Sequence, residues 1–322
     1  MTRSPWYVVD DTRRPIDPGG RAAWLADFPP WRGPGCMAPT VDRRAPDPGR
    51  QAGRGERHRI TGGKAQLDAI NAALRLRRPL LVTGAPGVGK SSLAWWLAWK
   101  LDLGRVLAWS VTPSSTLAEG LYRCDGPEEA RPARASRDWG DRFAEPGRQV
   151  RLGPLGTALL PTPAPRVLLV DDLDQGSADL ALSLLRVLED GSFDIKELAR
   201  AEGTELVAPH DAAFADDLVP VPQGRVVAFH PPVVVVTAAD AAALPELLVR
   251  RCVRLQLGRP DDETLAEIAA EWLGERTPEA RLLQSALVEL DPLSTDAVLQ
   301  ALYLLGRGAG AAEAAALLGD GG

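Results

Sequence analysis

The sequence predicts an α/β fold: a parallel sheet with flanking helices, followed by a smaller all-helical unit. Five short apolar runs point to the sheet, at Pro79–Gly84, Arg105–Val111, Val167–Val170, Pro232–Thr237 and Val253–Leu257. They are continuous Val/Leu stretches rather than alternating ones, the pattern of strands buried on both faces of a parallel sheet. Helical stretches separate them, which implies right-handed crossovers. The first run enters a glycine-rich turn that opens directly into a helix.

Residues 1–60 hold nine Pro, seven Gly and eleven Arg against seven acids, so this stretch is basic within an acidic chain. Pro29-Pro30 and Gly19-Gly20 break helix and strand alike. We expect an arm over residues 1–58 that is extended or partly disordered, or that docks on a neighbouring subunit through Trp6, Trp24 and Trp31. From Gln66 to Leu76, Leu67, Ile70, Ala73 and Leu74 recur at helical spacing. Ser91 to Leu101 is a helix whose Trp95, Trp96 and Trp99 are expected in the core. Residues 123–150, rich in Arg, Pro and Gly, form a long surface loop within an α/β unit over residues 59–258. Asp261–Trp272, Glu279–Leu290 and Ser294–Leu305 make a helical unit over residues 259–308, and the tail over residues 309–322 frays.

The chain has 322 residues and a formal net charge of −6, with 37 Lys and Arg against 43 Asp and Glu. That balance disfavours a nucleic-acid binder, whose phosphate contacts draw on excess basic residues. Cys36, Cys124 and Cys252 are far apart, which fits neither a disulfide framework nor a zinc site and suggests a reducing compartment. His58, His210 and His230 are scattered and expected to be structural or exposed. The N-terminal apolar run is too short for a secretion signal, and no run of 18 apolar residues could span a bilayer, so the expected location is cytoplasmic.

Gly84-Ala85-Pro86-Gly87-Val88-Gly89-Lys90-Ser91 matches G-x-x-x-x-G-K-[ST] between a predicted strand and a predicted helix, with Ser92 next in line. Glycines let the backbone curl so that several N–H groups converge on phosphates. The helix N-terminus adds its positive dipole end. Lys90 is placed to reach the β- and γ-phosphates of ATP, and Ser91 to offer a hydroxyl to Mg²⁺. Such a loop needs an acid at the end of another strand, and Val167-Leu-Leu-Val-Asp171-Asp172 supplies it. Asp171 is the candidate Mg²⁺ ligand through water, and Asp172 the candidate water-activating base. The alternative is an acid pair that caps the next helix.

The stretch Val167–Asp174, with Leu184–Phe193 after it, Gly153-Pro154-Leu155 before it and Leu244–Cys252 further on, resembles MoxR-like AAA+ ATPases. The resemblance covers roughly residues 60–305. It implies a five-stranded sheet in the order 5-1-4-3-2 and a helical lid. It further implies assembly as a homo-oligomeric ring, often a hexamer, with ATP at subunit interfaces, and a hairpin insertion over residues 191–230. Arg250 and Arg251 become candidate arginine fingers that act on a neighbour's ATP; otherwise they form a solvated helix end.

Three positions depart from the family pattern. Asp172 stands where the family has Glu, and one methylene pulls the carboxylate back by ~1 Å. The fourth strand ends Thr237-Ala238-Ala239-Asp240 without the usual polar Asn, so Thr237 or Asp240 must substitute. No clear lid arginine is present, Arg281 and Arg307 being weak candidates. The leading expectation is an ATPase that remodels or gates an unidentified partner protein. One alternative is a nucleotide-held switch with little hydrolysis. A second is a nucleic-acid motor, for which the arm and the Arg-rich stretch 131–151 are the only support.

Overall fold

A computed structural model describes residues 5–43, 50–58, 60, 63–124, 146–199, 203–214, 216–274 and 294–319. Its centre is a sheet of β1 (Leu80–Thr83), β2 (Leu107–Ser110), β3 (Val167–Asp171), β4 (Val233–Ala238) and β5 (Val253–Gln256). All neighbours pair in parallel, and the spatial order is β5-β1-β4-β3-β2. This is the predicted α/β class and the expected strand order. Thr83 pairs with Ala238 and Ser110 with Asp171, so the carboxyl ends of four strands share one edge, where ligands of open α/β sheets bind.

The unbroken apolar runs have a direct structural cause. Leu80 and Val82 of β1 enter one core while Leu81 enters the other, and β3 divides in the same way. Each such side chain is worth about 1.5–3 kcal/mol when fully buried. The helices, in chain order, are α1 (Pro18–Ala26), α2 (Arg50–Arg57), α3 (Gly63–Leu76), α4 (Ser92–Lys100), α5 (Leu117–Leu121) and α6 (Pro154–Ala158). They continue with α7 (Ala178–Asp190), α8 (Glu246–Arg251), α9 (Asp262–Leu273), α10 (Thr295–Leu305) and α11 (Ala311–Gly319). Helices α3 and α4 cover one face of the sheet, and α6 and α7 the other. Leu265 and Ala269 of α9 meet Val298 and Leu302 of α10 in a separate small core. The predicted helix Glu279–Leu290 lies outside the described residues, as does most of the predicted loop 123–150. The described ends of that loop pair as an antiparallel ladder, Tyr122–Cys124 with Val150–Leu152. Within residues 191–230, Ser192–Asp194 pairs with Arg225–Val227, and Thr204–Val207 with Val219–Pro222.

The arm departs from expectation. Its described part packs on its own chain rather than standing off as an extended leader. Asn71 Oδ1 accepts from the N–H groups of Val8 and Val9 at 2.6 and 2.9 Å, and Asn71 Nδ2 donates to Val9 O. One amide thereby completes the backbone pairing that a Pro-rich segment cannot supply for itself. Trp24, expected as a docking group for a neighbour, is buried beneath Arg77, while Trp6 and Trp31 are exposed. The buried ammonium of Lys100 binds Asp10 at 2.7 Å and the carbonyls of Thr12 and Arg14. Further on, Val41 enters the opposite core. Arg43 pairs with Asp211 and Asp217, each at 2.8 Å. The arm thus straps both faces of the sheet. Among the described residues, no helix is long and apolar enough to cross a membrane.

Candidate functional site

The turn Gly84–Ser91 joins β1 to α4 at the shared strand edge. Gly84 has φ +148, and a Cβ there would overlap Leu257 O. Gly87 has φ +73, and a Cβ there would overlap Ser294, the residue that caps α10. Both conditions exclude side chains, so the loop closes into the cradle its glycines predict. Lys90 is buried, and its Nζ donates to Gly84 O at 2.8 Å and Ala85 O at 3.0 Å. The ammonium is therefore held inside the loop, at the concave side of its own backbone.

Ser91 and Asp171, distant in sequence, meet directly: Ser91 Oγ donates to Asp171 Oδ1 at 2.6 Å. Thr237, fully buried in β4, donates to the same oxygen at 2.7 Å and accepts from the Asp172 N–H at 2.8 Å. The end of the glycine-rich turn and the carboxyl ends of β3 and β4 are thus tied together by side chains. Asp172 adopts the left-handed conformation, φ +56, and makes no side-chain cap bond to the following turn. Burial raises its pKa above the ordinary carboxylate value; Asp171 and Asp174 raise it further, and Lys90 opposes them. Asp240 caps a short turn by accepting from Ala242 N, whereas Thr237 is the residue of this strand end that bonds Asp171 and Asp172.

Asp174 was not among the predicted site residues. Its Oδ2 accepts from Ala239 N at 2.8 Å, and Ala239 O accepts from Gly84 N at 3.3 Å. Where the strand end lacks a long polar side chain, its backbone is clamped between the acid turn and the first glycine. The only sequence signal was a third acid three positions after Asp171.

Ser91 and Asp171 fit a magnesium ion that completes its shell with water and phosphate oxygens. Among the described residues, no group of three His, Cys, Asp or Glu side chains could hold a metal ion alone. The donor set therefore suits an ion delivered with a phosphate ligand.

Arg250 and Arg251 are not brought to this loop. They end α8, where Arg250 contacts Glu246 and Arg251 binds Glu189 at 3.0 Å. Arg78 holds that helix end by donating to the carbonyls of Arg250 and Arg251. Both arginines line a cleft of about 680 Å³ with Trp31 and Arg32 of the arm. Arg307 stacks on Tyr303, and Arg281 lies outside the described residues.

A cavity of about 760 Å³ opens beside Gly87, Val88, Gly89 and Ser92, between the loop, the end of α2 and the helical unit. Arg54 lies over Trp95 at 5.0 Å and Arg57 over Trp272 at 5.1 Å, two cation–π pairs in its wall. Trp96 is core as expected, and the half-buried Trp95 and Trp99 pack against that core, Trp95 also lining the cavity. His58, expected to be structural, also lines it. Burial lowers the His58 pKa to about 4, so the ring is neutral at pH 7.

No protein-family model matches the chain, and no curated protein matches its sequence. Among solved structures, the chain is similar to the AAA domain of FIGL-1 in complex with ADP. That match has 16% identity and a TM-score of 0.36 over 73% of this chain and 62% of that one. It is similar to NtrX from Brucella abortus at 16% identity and a TM-score of 0.46, over 81% of this chain and 55% of that one. It is also similar to the RuvB Holliday junction branch migration motor of Thermotoga maritima, at 16% identity and a TM-score of 0.42, over 80% and 67%. The chain thus spans about six-tenths of the length of the first two. Likeness at this level assigns no family. The α/β sheet with its phosphate-type loop stands on the strand order and turn geometry of the chain itself.

Proposed function

We propose that the chain is an AAA+ P-loop ATPase that holds ATP and Mg²⁺ between the sheet edge and the helical lid. The observation that carries this reading is the link Ser91–Asp171–Thr237, which gathers a P-loop hydroxyl, a strand-end acid and a polar strand end beside a buried lysine. Incoming phosphates meet the N–H groups of the Gly84–Ser91 cradle and the N-terminal end of α4. Lys90 exchanges two carbonyl partners for phosphate oxygens. Ser91 and Asp171 would hold Mg²⁺, which would supply positive charge to the phosphates when bound. Asp172 is the group on this chain that can take a proton from an attacking water. The apolar cavity beside Val88 accepts the nucleoside.

Arg250 and Arg251 sit apart from the cradle on an exposed helix end, which supports their use on a neighbour's triphosphate. A homo-oligomeric ring, of the hexameric kind found in AAA+ proteins, follows from that reading. Its work would be the MoxR-like one, remodelling or gating a protein client.

A second reading has specific support. Asp172 is one methylene shorter than Glu, and Thr237 is already engaged on both sides. A switch that binds ATP and turns it over slowly fits those facts. Steady-state phosphate release by wild type, Lys90→Ala and Asp172→Glu decides between them. Turnover well above Lys90→Ala supports the ATPase. Tight ATP binding with turnover equal to Lys90→Ala supports the switch, and absence of ATP binding rejects both.

A further inference from the structure

Helix α2 belongs to the arm, yet it lies directly on the helix that follows the glycine-rich loop. Gly55 permits the approach: a Cβ there would overlap Trp95 O and Trp99 Cβ of α4. Just past the end of α2, His58 Cε1 lies 3.8 Å from the position a Gly89 Cβ would take. The arm helix therefore ends against the loop itself.

Two guanidinium groups ride on this helix. Arg54 and Arg57 are three residues apart, hence on one face. Both are exposed, and both line the cavity of about 760 Å³ with Gly87, Gly89 and Ser92. With His58 neutral, they are the only cations among the described lining residues. Glu56, between them in sequence, instead borders a smaller cavity with Glu267. Neither arginine has an ion-pair partner among the described residues; Arg54 stacks on Trp95 and Arg57 on Trp272. The one carboxylate in the described wall, Asp296, accepts from Gln300.

A guanidinium laid on an indole keeps its N–H edge free, and that planar fork matches phosphate oxygens. The stack also fixes the plane of the group, so less freedom is lost when a ligand binds. The dipole of α2 favours cations in its last turn. It does not require both to turn to the cavity while the acid turns away. In a chain of net charge −6, two cations without acid partners beside the glycine-rich loop suit an anion that runs from the loop into the cavity.

We propose that Arg54 and Arg57 bind the phosphate chain of the nucleotide from the cavity side of the loop. This rests on the nucleotide reading above. It adds two phosphate-binding residues supplied by the arm, outside the loop and the strand-end acids.

Calorimetry on the full chain with Mg²⁺ tests it. The ligands are ATP and inorganic tripolyphosphate, which has no nucleoside and is read by competition with ATP. A hydrogen bond to a charged group corresponds to about tenfold in affinity or more. Arg54→Gln and Arg57→Gln should each weaken both ligands by about tenfold, and by the same factor for the two. Added salt should weaken ATP binding less steeply in the double variant than in wild type. Both side chains are exposed, so the variants should fold, and their unfolding midpoints check this. ATP affinity within about twofold of wild type in the double variant overturns the proposal. So does a loss for ATP with none for tripolyphosphate, which would put the arginines on the nucleoside, or a tripolyphosphate that fails to displace ATP from wild type. Absence of Lys90-dependent ATP binding by wild type is a different result: it removes the nucleotide reading, and this one with it.

Discussion

Thr237 Oγ1 donates to Asp171 Oδ1 at 2.7 Å, and the same hydroxyl receives the Asp172 N–H. A single buried side chain therefore sets both the direction of one carboxylate and the left-handed turn that carries the next. Its single proton is committed to Asp171, so the hydroxyl can donate to a water only if that bond opens.

Thr237→Val keeps the shape of the side chain and removes the hydroxyl. The Asp172 N–H loses its acceptor and Asp171 one of its two donors, at a cost of about 1–3 kcal/mol. Urea denaturation should show that loss, and Mg²⁺-dependent ATP affinity should fall with it. Unchanged stability would mean that the β3–β4 link is incidental.

Asp172 has a raised folded-state pKa, caused first by burial and then by Asp171 and Asp174. Its contribution is favourable below the ordinary aspartate pKa and is lost as pH rises through the folded value. Asn tolerates the left-handed conformation and carries no charge. Asp172→Asn should thus be more stable than wild type at pH 7 by at most about 1 kcal/mol, since the carboxylate stays partly solvated and screened. The advantage should shrink as pH falls toward 4. Denaturation midpoints across pH check the sign.

Asp10 has a lowered folded pKa: burial raises it, but hydrogen bonds from Lys100 and Thr12 outweigh that effect. Its contribution is present above the ordinary aspartate pKa and is lost as pH falls through the lowered value. Asp10→Ala leaves the Lys100 ammonium with neutral partners only. We expect a loss of about 2 kcal/mol at pH 7, allowing for the partial exposure of the pair. We also expect a flatter acid limb in the stability profile.

The Arg250→Ala, Arg251→Ala double variant should bind ATP within about twofold of wild type and lose at least about tenfold in turnover, if these side chains act on a neighbour. Mixing it with Lys90→Ala should then restore activity, because each variant supplies what the other lacks. A double variant with full turnover excludes the role.

The cradle was legible because its parts are neighbours in sequence: the Gly84–Ser91 spacing, and an apolar strand ending in Asp171-Asp172. The strand order came from family resemblance and is realised in the sheet. The cavity beside the loop was not legible, since His58, Trp95, Trp272 and Thr295 meet only after α2, α4, α9 and α10 pack together. Trp95 and Trp96 are adjacent on one helix and both touch the core, and no periodicity tells that Trp95 also borders a cavity. The arm was misread for a related reason. Its Pro and Gly content argues against regular structure, yet Pro18–Ala26, which includes Gly19 and Gly20, and Arg50–Arg57 are helical, and Asn71, Lys100 and Asp211 furnish partners from elsewhere that carry no local signal.

The strap also sets an order of events. Arg43 waits for Asp211, 168 residues later in the chain. Lys100, which captures Asp10, must emerge 90 residues after its partner. During synthesis this segment thus stays unpaired until its later-made partners emerge, Lys100 for Asp10 and Asp211 for Arg43. Closure over such separations is slow, so refolding should end in a late phase in which the beginning of the chain locks the finished sheet from both sides.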